Sequence, residues 1–155
     1  MPLPVPPHAY PGARALILLH EAHLRDFLAV WRNAKSAGFT LPATEDPSYA
    51  SLEHLLHHVF RAARGYMVWC CKTLDLPAPG IDKTPLPDTV EAEADAYIEH
   101  LLQAWTTPLA GEPEPRFNTE APSVWKVVYC VDAMLEHAVM HPVRHAFQLR
   151  TLMGE

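Results

Sequence analysis

The 155-residue sequence predicts an all-α fold, a four-helix bundle with long crossover connections. Three observations carry that expectation. Proline is absent from 12–41, 48–76, 88–107 and 123–141; each interval repeats apolar residues at three- and four-residue spacing; and the segments between them show no alternating strand pattern. Because proline lacks an amide N–H and clashes with the preceding helical turn, the 16 prolines mark where helices cannot run. An apolar content of 49% with 19% charged residues is that of one ordinary globular domain. A domain of this size buries about 68–70% of the surface its unfolded chain exposes, so the core needs no metal or disulfide staple. Any bound metal then serves chemistry.

Residues 1–11 carry five prolines and are expected to form an extended arm ahead of a single bundle domain over 12–155. The first helix should end near Gly38, a suitable C-cap. It carries His20 in the middle of its apolar face, among Leu16, Ile17, Leu24 and Phe27. The second helix has two candidate starts, Asp46 with Pro47 behind it, or Ser51. Its apolar arc is Leu52, Leu55, Val59, Ala62 and Tyr66. The third should start at Asp88, with Glu91 three residues on as its capping partner. On the fourth, alternate steps of four and three from Val127 give Val131, Met134, Ala138, His141, His145, Gln148 and Leu152, one seam toward the bundle centre. Pro142 lies inside that helix, frees the carbonyl of Ala138 and is expected to kink it, at about 3 kcal/mol in a regular interior. The connections 38–47, 73–87 and 107–122 read as irregular, without a sheet, and the two longest can cross over the bundle. Trp31, Tyr66, Trp69, Tyr97, Trp105 and Trp125 fall at helical spacing and read as core.

Charge and composition exclude several functions. Twelve basic against 18 acidic side chains give a net charge of −6, and no basic run exceeds the Arg61, Arg64 pair, which argues against a nucleic-acid partner. The apolar stretch Ala15–Leu19 is far shorter than a signal-peptide core or a membrane span, and the expected location is cytoplasmic, without membrane contact. Cys70, Cys71 and Cys130 are odd in number, lack Cys-x-x-Cys spacing and read as small hydrophobes. No glycine-rich phosphate loop is present, and Glu53 and Glu136 precede no histidine at i+3, so a di-iron bundle site is not signalled.

The ten histidines are the informative feature, concentrated in 54–58 and 137–145. His141 and His145 stand one turn apart on the inward seam, where two imidazoles can share an ion. At 100° per residue His58 lies at the edge of the second helix's apolar arc, His54 further round, and His57 on the opposite face with Arg61 and Arg64. His58, His141 and His145 are therefore the candidate metal ligands. Three neutral nitrogens suit Zn²⁺ or Ni²⁺, with Fe²⁺ a further option, and leave positions open for water or substrate. Gln148 and His20 are candidates for a supporting or substrate-facing role; His54, His57, His100 and His137 read as solvated or partly exposed.

These residues resemble the DinB-like (YfiT-like) superfamily of bacterial four-helix bundles. The likeness lies in Ser51, Leu55, Leu56 and His58 on the second helix, and in His141, His145 and Gln148 on the last. Where family members commonly carry Arg-Gly after the last ligand, this chain has Ala146 and Phe147. The resemblance implies a divalent metal near one end of the bundle, often a homodimer, and a small-molecule enzyme. Such an enzyme is either a transferase using a low-molecular-weight thiol or a hydrolase, acting on an electrophilic substrate. A metal-binding sensor without turnover, or a structural bundle without metal, are the alternatives.

Overall fold

The computed structural model describes residues 2–155, and it is an all-α four-helix bundle: α1 Pro11–Ser36, α2 Leu52–Thr73, α3 Val90–Trp105 and α4 Val131–Leu152. Local chemistry sets the ends. Gly38, at φ 66°, closes α1 in a Schellman turn, its own N–H donating to Lys35 and that of Phe39 to Ala34. Both predicted starts of the second helix are used. Asp46 accepts from the Ser48 N–H and caps a 3-10 turn at Pro47–Tyr49, and Ser51 accepts from the His54 N–H and caps α2. α3 begins at Val90 after Thr89, and no side chain caps it, in place of the expected start at Asp88.

Pair contacts fix the helix directions. Tyr10, just ahead of α1, packs on Phe117, and Thr119 next to that ring accepts from the Val131 N–H, so α1 and α4 start at the same end. Farther along, Asp26 pairs with Arg150. α2 and α3 both run the other way: the Trp31 indole donates to the Leu52 carbonyl, while Arg32 pairs with Asp95 and His20 stacks on Trp105. Two consecutive parallel helices require a connection that returns along the bundle, and 74–89 is that connection. It climbs beside α2, where Arg64 donates to the Ile81 carbonyl at 3.0 Å and His57 Nδ1 meets the Pro85 carbonyl at 2.7 Å. The other long connection, 106–130, stays at one end, because α3 finishes where α4 begins.

That second connection departs from the sequence reading. It folds into a 3-10 turn at Glu114–Asn118 and a small antiparallel hairpin, β1 Glu120–Pro122 with β2 Val128–Cys130, so the fourth helix starts at Val131, capped by Cys130, and not near 123. The Trp69 indole donates to the Pro122 carbonyl and ties the hairpin to α2. Trp125, expected in the core, sits exposed at its tip. α4 continues through Pro142 to Leu152. The seam of α4 is buried from Val131 to His145 but not at either end: Val127 lies outside the helix, and Gln148 and Leu152 are exposed.

Residues 2–10 have no helix or strand and dock on the bundle. The Leu3 N–H donates to the buried Glu21 carboxylate, Arg14 donates to the Val5 and Pro6 carbonyls, and the Ala9 N–H to Ala110. His8 is buried within this segment. Among the described residues no helix is long and apolar enough to cross a membrane.

Candidate metal centre

The capped start of α2 sets the phase of the helix and turns His58 toward α4, where His141 and His145 project one turn apart. Their candidate ligand nitrogens all lie within 4.8 Å of one another. His58 Nε2 and His141 Nε2 are 3.1 Å apart. Two nitrogens bound at about 2.0–2.1 Å to one tetrahedral ion stand about 3.3 Å apart, so this pair is already at ligand spacing. The widest separation in the set closes to the same value with a side-chain shift of about 1.5 Å.

Burial makes the cluster suitable for a cation and poor as anything else. His141 and His145 are buried and His58 is half-buried. Removal from water, then the neighbouring histidines and the Arg144 guanidinium, hold His141 down to about 2. His145 is lowered to about 4, by burial first and then by His58 and Arg144, with the Gln148 side chain acting the other way. His58 is lowered chiefly by burial. All three are therefore neutral at pH 7, the form that donates a lone pair to a metal. The Nδ1 atoms of His141 and His145 are buried without a hydrogen-bond partner. Each costs about 1–3 kcal/mol, a burden the core also carries at His20, so the convergence of the three rings, and not the unpaired atoms, marks the cluster. Three neutral nitrogens with free space above them are a ligand set that could hold a metal ion.

The free space is a cleft of about 710 Å³ between α2 and α4, with the hairpin at one end and Tyr49 at the other. Its walls include Tyr66, Trp69, Trp125 and His137, with Arg61, Arg64 and Arg144 at the rim, and no carboxylate. A second, apolar cavity of about 390 Å³ lies beyond Tyr49 and His145, against Leu41, Phe147 and Leu152. Gln148 is exposed and borders that second cavity, not the main cleft, with its side chain beside the ligand His145.

The other histidines are elsewhere. His20 is fully buried between α1 and α3, stacked on Trp105, and lines neither cavity, so it has no access to a substrate. His54 bonds the Ser51 hydroxyl, His57 the crossover and His100 the Asp82 N–H. His137 reaches the cleft, edge-on to Tyr66 with centroids 5.4 Å apart, but stands outside the three-nitrogen cluster.

Sequence reasoning missed the hairpin wall and the three arginines. Helical phase places Arg61 and Arg64 with His57 on the face opposite the apolar arc of α2. Arg61 in fact borders the cleft one turn beyond His58, and Arg64 spans the gap between cleft and crossover. A signal was available, since Arg61 and Arg144 lie three residues after and one before a proposed ligand.

Comparison with protein-family models, with curated proteins and with solved structures gives no match to this chain.

Proposed function

We propose that this chain is a divalent-metal-dependent enzyme, of the DinB-like kind that its motifs resemble, acting on a small molecule in the cleft between α2 and α4. The observation that carries the reading is the meeting of His58, His141 and His145 at an open cleft of about 710 Å³. A structural metal site is closed by four protein ligands, whereas three leave a position for a reacting molecule.

In this reading the three imidazoles hold the ion, and the half-exposed His58 side of the cluster faces the incoming molecule. The ion supplies Lewis acidity, which lowers the pKa of a water or a thiol. Tyr66 and Trp125 provide apolar walls and exclude water on one side. The cleft lining has no Asp or Glu to serve as general base for water, which favours a low-molecular-weight thiol as nucleophile, since a thiol acidified by the ion needs no base. A thiol transferase is thus preferred to a hydrolase.

The test is an assay of zinc- or nickel-loaded protein with an electrophile, with and without a panel of low-molecular-weight thiols. Turnover that needs thiol and is lost in His141→Ala supports the proposal. Thiol-independent turnover assigns a hydrolase. Absence of turnover together with a metal-dependent change in oligomer size assigns a sensor.

A further inference from the structure

Of the eight arginines in the sequence, six have a protein partner. Arg25, Arg32, Arg116 and Arg150 pair with carboxylates, and Arg14 and Arg64 donate to backbone carbonyls. Arg61 and Arg144 have none among the described residues, and both line the same cleft. Both side chains are exposed at the rim of the cleft, and no carboxylate among the described residues pairs with either, although acidic side chains outnumber basic ones in the chain.

The balance of charge inside the cleft sharpens the point. Its lining contains three guanidinium groups, three neutral ligand histidines and no Asp or Glu. Neutral imidazoles do not offset the charge of a divalent ion. The Asp46 carboxylate, outside the lining, acts on His58 and His145 and offsets part of this charge; the three guanidinium groups outnumber it, so with or without the ion the cleft is positive and its field favours an anion. Arg144 sits on α4 between the ligands His141 and His145, and Arg61 on α2 one turn beyond the third, His58, so the two unpaired guanidinium groups stand on opposite walls of the cleft. The remaining walls are aromatic. Trp125 sits at the tip of the hairpin with its ring centroid 4.9 Å from His137 and 6.3 Å from Tyr66, and presents an exposed face to whatever enters.

We infer that the cleft binds a small molecule that carries a carboxylate or phosphate group on a planar or apolar frame, with Arg61 and Arg144 as the residues that hold the anion. Guanidinium groups match the planar oxygens of such a group and are the side chains best suited to it. This names the substrate or cosubstrate class for the site of the proposed function, but it rests on the arginines and not on the metal.

The test uses the full chain stripped of metal with a chelator, so it does not depend on the metal centre. Benzoate and benzamide have nearly the same shape and differ in charge, and calorimetric titration compares them. Benzoate should bind at least about tenfold more tightly, a difference of about 1.4 kcal/mol. Added salt should weaken it, and inorganic phosphate should compete. Arg61→Gln with Arg144→Gln should bring benzoate down to the level of benzamide and leave benzamide unchanged. Arg144→Lys, which keeps the charge, should retain most of the preference and guards against a folding artefact. Equal affinity for the two probes, no detectable benzoate binding at millimolar concentration, or a double variant that still prefers benzoate overturns the inference. Failure to bind metal, measured separately, overturns the enzyme proposal alone.

Discussion

His20 lies flat against Trp105, with ring centroids 3.7 Å apart and planes 10° from parallel, and neither of its nitrogens has a hydrogen-bond partner. A neutral imidazole is thus kept inside the core by stacking alone. Burial lowers it to about 3. An unfolded histidine titrates near 6.5, so below that pH the unfolded chain takes up a proton that the folded chain refuses.

His20→Phe should keep the stack, remove two unpaired nitrogens and raise the unfolding free energy at pH 7 by about 1–2 kcal/mol. The sign with pH is fixed. Above pH 6.5 His20 contributes no pH dependence, and between about 6.5 and about 3 it costs about 1.4 kcal/mol per unit as the pH falls. The advantage of the variant should therefore widen by about 2 kcal/mol from pH 7 to pH 5, as read by urea unfolding at both. A gap that stays constant would show that His20 is not held neutral.

His145→Ala should abolish metal affinity and leave the far-ultraviolet helical signal nearly unchanged. The core is built from Trp31, Phe60, Leu56, Met67 and their neighbours, and the lost ring opens onto existing cavities on both sides. Loss of the helical signal at 25 °C would mean that the cluster is structural.

Ser51→Ala should destabilise the chain by about 1 kcal/mol, because the hydroxyl accepts from the His54 N–H and no other side chain caps α2. Ser51→Asp should restore most of it. A shift of the thermal midpoint below 1 °C in the alanine variant would show that the cap is not used.

Trp125→Ala should move the unfolding free energy by no more than about 0.5 kcal/mol, since the ring is 46% exposed and the hairpin stays tied to α2 through Trp69 and Pro122. The same change should weaken binding of a planar ligand to the cleft. A loss of several kcal/mol in stability would place the indole in the core after all.

Helical phase made the site legible in the sequence. One turn of spacing put His141 beside His145, and 100° per residue separated His58 from His57 and His54. The errors lie where that periodicity was carried past the packing that enforces it. Gln148 and Leu152 continue the seam of α4 on paper, but beyond His145 both are exposed and border the second cavity, so Gln148 stands beside His145 without lining the main cleft. His20 does sit on the apolar face of α1, yet the core that covers it is on the α3 side, away from the cleft. The hairpin gave no signal at all. Each strand is three residues long, Pro122 ends the first, and the turn places Lys126, not glycine or asparagine, at a φ of 62°. Trp125 was consequently assigned to a helix that begins six residues later.

The most direct test of the central claim is the metal content of the purified chain after incubation with excess Zn²⁺ and exhaustive dialysis, alongside His58→Ala, His141→Ala and His145→Ala. The account predicts about one equivalent bound to the native chain, and less than about a tenth of an equivalent in each of the three variants. Native protein that retains less than a tenth of an equivalent of Zn²⁺, and likewise of Ni²⁺, would contradict it.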